Sequence, residues 1–256
     1  MKEKVTAKII CQTEIAGGIF DMWLETELAK EAHPGQFIGV YPKNKSTLLL
    51  RPISICEVNE EKTALRLVYR VAGQGTEEFS SYHTGEELQI IGILGNGFPL
   101  EKGKGKNVFL MGGGIGVPPI LQLAKELDAE KKILLGYRDG GLFLKEDFEP
   151  YGDVYVATED GSAGTKGNVM DAIKENALTA DVIFACGPMP MLRAIKKYAA
   201  ENNIEAYISL EERMACGVGA CLGCVCKTVQ KDHHTNVNNT RICVEGPVFL
   251  AEEVEI

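Results

Sequence analysis

Residues 1–100 carry short runs of alternating apolar and polar side chains, separated by turn residues. Alternation with a period of two is typical of strands that bury one face. Many short strands at close spacing indicate an antiparallel barrel. A short helix over Thr76–Tyr82, with Thr76 as its N-cap, interrupts the pattern. The predicted strands are Val5–Cys11, Ile19–Leu24, Phe37–Tyr41, Ile53–Glu57, Ala64–Val71 and Glu87–Leu94.

A charged, glycine-containing stretch, Glu101–Asn107, ends this pattern and predicts a connector between domains. Beyond it, continuous apolar strands alternate with helices, which is typical of a parallel α/β sheet. We expect a barrel domain over residues 1–100, an α/β domain over 101–210 and a small module over 211–256. The predicted strands of the α/β domain are Val108–Met111, Lys132–Tyr137, Val154–Ala157, Val182–Ala185 and Ala206–Leu210. Its predicted helices are Pro118–Leu127, Val169–Asn176 and Pro190–Ala200.

The composition excludes several classes of function. Of 256 residues, 45% are hydrophobic and 25% are charged, and the net charge is −9. An acidic chain lacks the basic face that nucleic acid requires, and no apolar run approaches the ~20 residues of a membrane span. The N-terminal stretch has no secretory signal, and eight cysteines without one indicate a reducing compartment. We expect a cytoplasmic protein that binds neither nucleic acid nor membrane.

The C-terminal module carries the most specific pattern of the chain, CGVGACLGC, followed by a fourth cysteine farther on. Cys216, Cys221 and Cys224 have the C-x4-C-x2-C spacing of a plant-type [2Fe-2S] cluster, and Cys243 completes the set. The glycines at 217, 219 and 223 are expected to allow positive φ and to turn N–H groups toward the sulfurs. A zinc site more often has paired C-x2-C units, and only Cys221 and Cys224 fit that spacing.

Three features near this pattern have open interpretations. Cys226 shares a strand face with Cys224 and could replace it as a ligand, although the spacing favours Cys224. Glu211 and Glu212 could tune the cluster or cap the preceding strand. A structural role as a small buried hydrophobe is the interpretation for Cys11, Cys56 and, unless it binds the metal, Cys226.

Two glycine-containing turns in the α/β domain predict a nucleotide site. In the first, MGGGIGVPP, Gly112, Gly113, Gly114 and Gly116 would let the backbone approach a pyrophosphate at a helix N-terminus. Val117 occupies the third glycine position of the dinucleotide fingerprint, so the turn alone indicates only a phosphate or dinucleotide site.

The second turn, ACGPMPML, also lies between a strand and a helix, where open α/β sheets bind their ligands. Gly187 and Pro188 form this turn. Cys186 is small and polarizable and could lie beside a nicotinamide ring, in a catalytic position. A buried thiol that ends the strand is an equally good interpretation.

The barrel half contains two motifs, RPISI and VYRVAGQGT. Arg51 could pair with a phosphate, and Ser54 could form a hydrogen bond with a heteroaromatic ring. Gly75 and Thr76 precede the predicted helix and could cradle a second pyrophosphate. A lone Arg-Pro or Gly-x-Gly is usually only a turn.

The order of these motifs resembles that of the ferredoxin–NADP reductase superfamily, in which a flavin-binding barrel precedes a pyridine-nucleotide domain. Ile53 replaces the tyrosine that is usual in the barrel motif, so aromatic stacking on the flavin is not expected there. With the cysteine segment added, the whole chain resembles the iron–sulfur flavoprotein subunits that transfer electrons in type B dihydroorotate dehydrogenases.

This resemblance implies FAD, a [2Fe-2S] cluster and NAD as a diffusible substrate, with NAD preferred to NADP. It implies Cys216, Cys221, Cys224 and Cys243 as cluster ligands. The two glycine turns of the α/β domain would receive NAD. The implied FAD residues are Arg51, Pro52, Ile53, Ser54, Val68, Tyr69, Arg70, Gly75 and Thr76.

The resemblance also implies a partner, an FMN-containing catalytic subunit that oxidises dihydroorotate to orotate in pyrimidine synthesis, in a heterotetramer with two copies of each chain. Electrons would pass through the cluster to FAD and then to NAD. The chain has no room for a further barrel of ~250 residues, so we expect it not to oxidise dihydroorotate alone. The alternatives are an NAD(P)H reductase for a ferredoxin, an oxygenase or a hydrogenase-like partner, and a zinc-stapled dinucleotide sensor.

Overall fold

The computed structural model describes residues 4–231 and 236–256. The first six strands are β1 (Lys4–Ala16), β2 (Ile19–Glu25), β3 (Phe37–Tyr41), β4 (Arg51–Val58), β5 (Ala64–Arg70) and β6 (Glu87–Leu94). They close into an antiparallel barrel in the order β1-β2-β5-β4-β3-β6. Closure leaves no free sheet edge, and the predicted barrel is confirmed. Strand β1 is longer than expected because bulges near Ile9 and Glu14 let it continue along β2. Its Cys11 is exposed, so the expectation of a buried side chain there is wrong, whereas Cys56 is buried as expected.

A short helix, α1 (Gln74–Ser80), packs on the barrel and buries Phe79 in its core. The expectation that Thr76 is the N-cap is wrong, because the helix begins two residues earlier, after Gly73. The Thr76 hydroxyl accepts hydrogen bonds from the N–H groups of Ala72 (2.8 Å) and Gly73 (3.2 Å). It also donates to the Gly73 carbonyl at 3.0 Å. Thr76 therefore braces the entry to the helix from inside its first turn.

The second part is a parallel sheet whose two faces are covered by helices. Its strands are β7 (Asn107–Gly113), β8 (Glu130–Tyr137), β9 (Asp153–Thr158), β10 (Thr165–Lys166), β11 (Val182–Cys186) and β12 (Glu205–Ser209). Its helices are α2 (Leu100–Gly103), α3 (Pro118–Glu126), α4 (Lys145–Phe148), α5 (Val169–Glu175) and α6 (Met189–Asn202). Along β7, Phe109 packs in the core with α5 and α6, and Leu110 packs in the core with α3 and α4. The predicted α/β architecture is confirmed.

The segment Glu101–Asn107, expected to be a plain connector, instead begins within the one-turn helix α2. In the described part of the chain, no helix has the length and apolar character needed to cross a membrane.

The cysteine module contains a small antiparallel sheet of β13 (Val225–Thr228), β14 (Asn239–Arg241) and β16 (Val254–Glu255). Between β14 and β16, strand β15 (Val248–Leu250) leaves the module and pairs antiparallel with β12. The Lys196 ammonium of α6 also donates to the Val254 carbonyl at 2.5 Å. The module is therefore attached to the α/β domain through a shared sheet, although its sequence shows no such link.

Candidate functional site

A cavity of about 710 Å³ lies where the barrel, the α/β domain and the approach to the cysteine module meet. Its volume is within the range of about 300–1,000 Å³ that is typical of small-molecule sites. Ile115 lines it from the α/β domain, and residues 209–214, which lead into the cysteine module, line it from another side. The barrel contributes the predicted residues Arg51, Pro52, Ile53, Ser54, Val68, Tyr69, Arg70 and Thr76. One cavity thus gathers residues from all three predicted parts.

Gly75 does not line the cavity but lies directly beneath Arg51. A β-carbon at Gly75 would come within 2.4 Å of the Arg51 Nε atom, so a larger residue there would displace the arginine side chain. Arg51 donates from Nη1 to the Leu49 carbonyl at 2.7 Å, which anchors one side of its guanidinium. Together with Arg70 and Arg213, it brings positive charge to the cavity wall. This wall is suited to a phosphorylated ligand.

Tyr69 forms a fixed aromatic part of the wall. It is 3% exposed, and its hydroxyl donates to Gln12 Oε1 at 2.9 Å. Its ring stacks on Phe20 (centroid distance 5.9 Å) and meets Phe79 edge-on at 6.1 Å. Burial raises the pKa of Tyr69 well above its ordinary value. The side chain therefore stays neutral and holds its position.

The two glycine turns of the α/β domain lie side by side at the ends of β7 and β11. The sheet order is β10-β9-β8-β7-β11-β12, so the strand order reverses between these two strands. Ligands of open α/β sheets bind at such a reversal, outside the carboxyl ends of the strands. The predicted nucleotide turns therefore lie where this fold places a ligand.

Most glycines of these turns are required by close packing between the turns. A β-carbon at Gly116 would meet the Cys186 carbonyl oxygen at 2.4 Å, and one at Gly113 would meet Met191 Sδ at 2.4 Å. Gly112 and Gly187 are similarly enclosed by Val117 and Met191, and Pro188 precedes α6. Gly114 is different: its φ is +53° and it faces open space, so it is the glycine available to a ligand.

Cys186 is fully buried at the end of β11, opposite Gly112 on one side and Ser209 on the other. Burial, and then the charge of Glu211, raises the pKa of its thiol far above the ordinary value, whereas the Ser209 side chain lowers it. This position matches the interpretation of Cys186 as a buried thiol that ends a strand. A catalytic role beside nicotinamide stays a prediction.

Glu211, whose role the sequence left open, is part of the cavity wall. Although its side chain is accessible to solvent, the surrounding cavity wall raises the pKa of its carboxyl by desolvation, and the charge of Arg70 opposes this rise. Such a group can hold a proton closer to neutral pH than an ordinary glutamate does. The sequence signal was a pair of acidic residues directly after a strand end, where the ligand crevice of an α/β sheet lies.

The four cysteines of the motif influence one another as two pairs. The Cys221 side chain lowers the pKa of Cys216, and the Cys224 side chain raises that of Cys243. A [2Fe-2S] cluster requires this division, since each iron takes two thiolates. Within the described ranges 4–231 and 236–256, no three His, Cys, Asp or Glu side chains are grouped closely enough to hold one metal ion.

Backbone N–H groups point at these sulfurs, as expected from the glycines in the loop. The Ala220 N–H donates to Cys216 Sγ at 3.3 Å, and the Gly223 N–H donates to Cys221 Sγ at 3.4 Å. Burial alone would raise the pKa of Cys216, but hydrogen bonds from this loop lower it to about 6. A loop that favours a thiolate also favours metal.

The predicted backbone geometry of the loop is only partly right. Gly217 (φ +68°) and Gly219 (φ +81°) adopt the left-handed conformation, but at the third position Leu222 (φ +56°) does so in place of Gly223. The side chain of Leu222 is exposed, so the turn is made there without a packing clash.

Cys226 lies on β13, half-buried, opposite Thr240 of β14. Burial raises the pKa of its thiol to about 11, so it carries a proton at neutral pH. Cys224 and Cys243 are each 3% exposed and belong to the same core, whereas Cys226 only packs against it, and this arrangement favours Cys224 over Cys226 as a ligand.

Met214 connects the cavity to the cysteines. It is 7% exposed, lines the cavity, and belongs to the same core as Cys224 and Cys243. Leu50 connects the two from the barrel side. It lines the cavity, and its side chain would lie 3.2 Å from a β-carbon placed on Gly217 of the cysteine loop. The cavity and the cysteine loop are therefore separated only by packed side chains.

Comparison with known proteins agrees with this arrangement. The family model for the iron–sulfur cluster binding domain of dihydroorotate dehydrogenase B matches residues 211–255. A structure described as an NADH-dependent reduced ferredoxin–NADP oxidoreductase superposes with a TM-score of 0.87 at 29% identity, covering 100% of this chain and 91% of that one. A ferredoxin–NADP+ reductase from Neisseria gonorrhoeae, with a TM-score of 0.65 and 14% identity, covers 82% of this chain and 94% of its own. This second likeness shows the fold alone.

Two curated relatives are similar over their whole length, and both are named dihydroorotate dehydrogenase B (NAD(+)), electron transfer subunit. The protein from Caldanaerobacter subterraneus subsp. tengcongensis is 42% identical over 255 residues, 99% of each chain. The protein from Listeria monocytogenes is 43% identical over 255 residues, 97% of this chain and 98% of its own. The chain therefore belongs to the family of dihydroorotate dehydrogenase B electron transfer subunits.

Proposed function

We propose that this chain transfers electrons from a dihydroorotate-oxidising FMN subunit, through a [2Fe-2S] cluster and FAD, to NAD+ in pyrimidine biosynthesis. The observation that carries the proposal is the shared cavity: barrel residues, the tip of a dinucleotide turn and the segment leading to Cys216 all line it. Electron transfer between three redox groups requires them to be close together, and we assign the three sites to the surroundings of this cavity.

The barrel wall fits FAD. Arg51 and Arg70 would neutralise its phosphates, and Gly75 leaves room for the Arg51 side chain against the start of α1. Ser54 would form a hydrogen bond with the ring system, while Tyr69 supplies an aromatic surface that cannot shift. Pro52, Ile53, Val68 and Thr76 would shape the remaining wall. When bound, FAD would supply both one-electron exchange with the cluster and hydride exchange with NAD.

The cysteine loop fits a [2Fe-2S] cluster, with Cys216 and Cys221 on one iron and Cys224 and Cys243 on the other. Such a cluster supplies one-electron chemistry. The N–H groups of Ala220 and Gly223 would stabilise the negative charge on the sulfurs. Met214 and Leu50 keep water out of the space between this loop and the cavity.

The paired turns would receive NAD. Gly114 presents open backbone to a pyrophosphate, and Ile115 reaches from the same turn into the cavity, where the nicotinamide would meet the flavin. Gly112, Gly113, Gly116, Gly187 and Pro188 would hold the two turns in register. Glu211 is the carboxyl placed to hold a proton beside the reacting rings.

The oxidation of dihydroorotate would take place on the partner. The described residues form the barrel, the α/β sheet and the cysteine sheet, and the cavity among them is already assigned to the flavin. We infer a complex with an FMN-containing subunit, as a heterotetramer with two copies of each chain. The eight cysteines are all free thiols, which supports a reducing compartment, the cytoplasm.

Coexpression with the FMN subunit tests the proposal. We expect the two chains to copurify, to show flavin and iron–sulfur absorption, and to form NADH when given dihydroorotate and NAD+. The isolated chain should not consume dihydroorotate, but NADH should reduce its flavin. A chain that neither binds the FMN subunit nor forms NADH with it would contradict the proposal.

One comparison supports a second candidate. The similar structure at 29% identity is described as a ferredoxin–NADP oxidoreductase, so the same architecture can serve a ferredoxin. If the chain does not bind the FMN subunit but reduces a ferredoxin with NADH, the second function is correct. The higher identity to the dihydroorotate dehydrogenase subunits, 42–43% over nearly the whole chain, favours the first.

A further inference from the structure

A partly buried ion network joins the barrel to the α/β domain on a part of the interface that is separate from the cavity, with side-chain exposures from 13% at Arg66 to 41% at Asp147. Arg66 of β5 donates from Nε and Nη2 to the Asp21 carboxylate of β2, with a shortest distance of 2.7 Å. Its Nη1 atom donates at 3.0 Å both to Glu57 of β4 and to Asp147 of α4. Lys125 of α3 donates to the other oxygen of Glu57 at 2.6 Å. We call Asp21, Glu57, Arg66, Lys125 and Asp147 the domain clamp.

The domain clamp crosses the interface twice. Asp147 and Lys125 belong to the α/β domain, whereas their partners Arg66 and Glu57 belong to the barrel. The Arg66 side chain is only 13% exposed and lies 5.9 Å from the centre of the Trp23 ring. A third polar link runs beside it, since the buried Val58 N–H donates to Gln122 Oε1 of α3 at 2.8 Å.

The elements that form the domain clamp also carry the functional motifs. Strand β4 begins with Arg51–Ser54 at the cavity and ends with Glu57 and Val58 at the clamp. Strand β5 has Arg66 at the clamp and Val68–Arg70 at the cavity. Helix α3 follows directly from the turn that holds Ile115 and places Lys125 one helix length away, about 10 Å at 1.5 Å per residue.

Apolar contact also joins the two domains. Cys56 and Val68 of the barrel pack against α3 residues that include Ile120, Leu121 and Ala124. Apolar contact holds surfaces together but is not directional. The bidentate Arg66–Asp21 pair fixes the guanidinium within the barrel, and from there its Nη1 atom donates across the interface to Asp147. Ion pairs, whether exposed or buried, add little net stability, so orientation is the better explanation for this network.

We propose that Arg66, through Glu57, Asp147 and Lys125, is a positioning residue that sets the angle between the domains and so holds the Ile115 turn over the flavin cavity. This inference rests on the proposed function, since it concerns the approach of nicotinamide to flavin. Hydride transfer is sensitive to such placement, because an error of about 1 Å can cost up to ~100-fold in rate.

The test uses the chain loaded with FAD and its cluster, in anaerobic stopped-flow reduction of the flavin by NADH. Asp147→Asn and Lys125→Gln each remove one crossing of the domain clamp. Glu149→Gln is the matched control, since it removes the exposed Lys145–Glu149 pair beside the same helix without touching the barrel. Asp147→Glu keeps the carboxylate and serves as the conservative variant.

We expect Asp147→Asn and Lys125→Gln to lower the limiting rate of flavin reduction about tenfold, with a smaller change in the apparent affinity for NADH. Asp147→Glu and Glu149→Gln should keep the wild-type rate. The FAD dissociation constant should not change, while amide hydrogen exchange should become faster in the turn at residues 114–117. Faster exchange there reports a loosened turn independently of activity.

Two outcomes would overturn the inference. If both crossing variants keep the control's limiting rate, even with a lower melting temperature, the domain clamp is only structural. If they weaken FAD binding in proportion to the loss of rate, the barrel itself is disturbed. A wild-type flavin that NADH does not reduce would contradict the proposed function, and the inference with it.

Discussion

Gly116 lies directly against the backbone of Cys186: a β-carbon on Gly116 would come within 2.4 Å of the Cys186 carbonyl oxygen. This contact joins the two turns that we assign to NAD, one at the end of β7 and the other at the end of β11. The site is therefore built by close approach of two backbone segments. This approach is possible because residue 116 is a glycine and has no side chain.

Gly116→Ala should push the two turns apart. Overpacking of this kind typically costs about 1–3 kcal/mol, and we expect a lower melting temperature and slower flavin reduction by NADH. Gly17→Ala is the control, because a β-carbon there meets nothing within 4 Å. Unchanged stability and rate in Gly116→Ala would show that the turns are not held by this contact.

Cys224 and Cys226 should behave differently when replaced. Cys224→Ser should lose the cluster, because Cys224 pairs with Cys243 in the loop. Cys226→Ser should keep about two iron atoms per chain and the iron–sulfur spectrum. Iron analysis and visible absorption measure both, and Cys11→Ser is a further control at an exposed cysteine. If Cys226→Ser loses the iron and Cys224→Ser keeps it, Cys226 of β13 is the ligand and not Cys224.

Arg51→Ala should weaken FAD binding. A hydrogen bond to a charged group contributes about 1.5–3 kcal/mol, which corresponds to roughly 10- to 100-fold in the dissociation constant. Fluorescence titration of the flavin-free chain measures this, with Lys30→Ala as the control, since Lys30 forms only an exposed ion pair with Glu27. If Arg51→Ala binds FAD at wild-type strength, Arg51 does not contact the phosphates of FAD.

Glu211 should make the flavin-free chain less stable as the pH rises. Burial raises the pKa of its carboxyl in the folded chain, so the folded state retains the proton at pH values where the unfolded state has lost it. The resulting stabilisation is complete below the unfolded pKa and is lost as the pH rises through the folded pKa. Glu211→Gln should therefore melt at a higher temperature than wild type at pH 8, and at a similar temperature at pH 4.

The control for this prediction is Glu31→Gln, at an exposed glutamate outside the cavity. It should leave the difference between the melting temperatures at pH 4 and pH 8 unchanged. If Glu211→Gln also leaves that difference unchanged, the carboxyl does not titrate as its burial implies.

The sequence predicts those features of the molecule that depend on local pattern. The barrel and the parallel sheet follow from periodicity, and the prediction of a cluster loop follows from the spacing of Cys216, Cys221 and Cys224. The Thr76 error is also local, since a glycine can begin a helix as well as a hydroxyl residue can, and Gly73 does so here.

Features formed by distant segments could not be predicted in this way. Ile115 enters the flavin cavity only because the α/β domain packs against the barrel at one angle. Arg66 has partners on three other elements, and nothing in the short sequence around it indicates them. The pairing of β15 with β12 joins the cysteine module to the α/β sheet across a long stretch of chain.

The order of electron flow is tested most directly by Cys221→Ser in the purified complex with the FMN subunit, with two activities measured on one preparation. We expect dihydroorotate-dependent formation of NADH to be lost, because the cluster connects the subunits. NADH-dependent reduction of ferricyanide should remain, because that route needs only the flavin of this chain. An iron-free complex that still forms NADH from dihydroorotate at the wild-type rate would contradict the account.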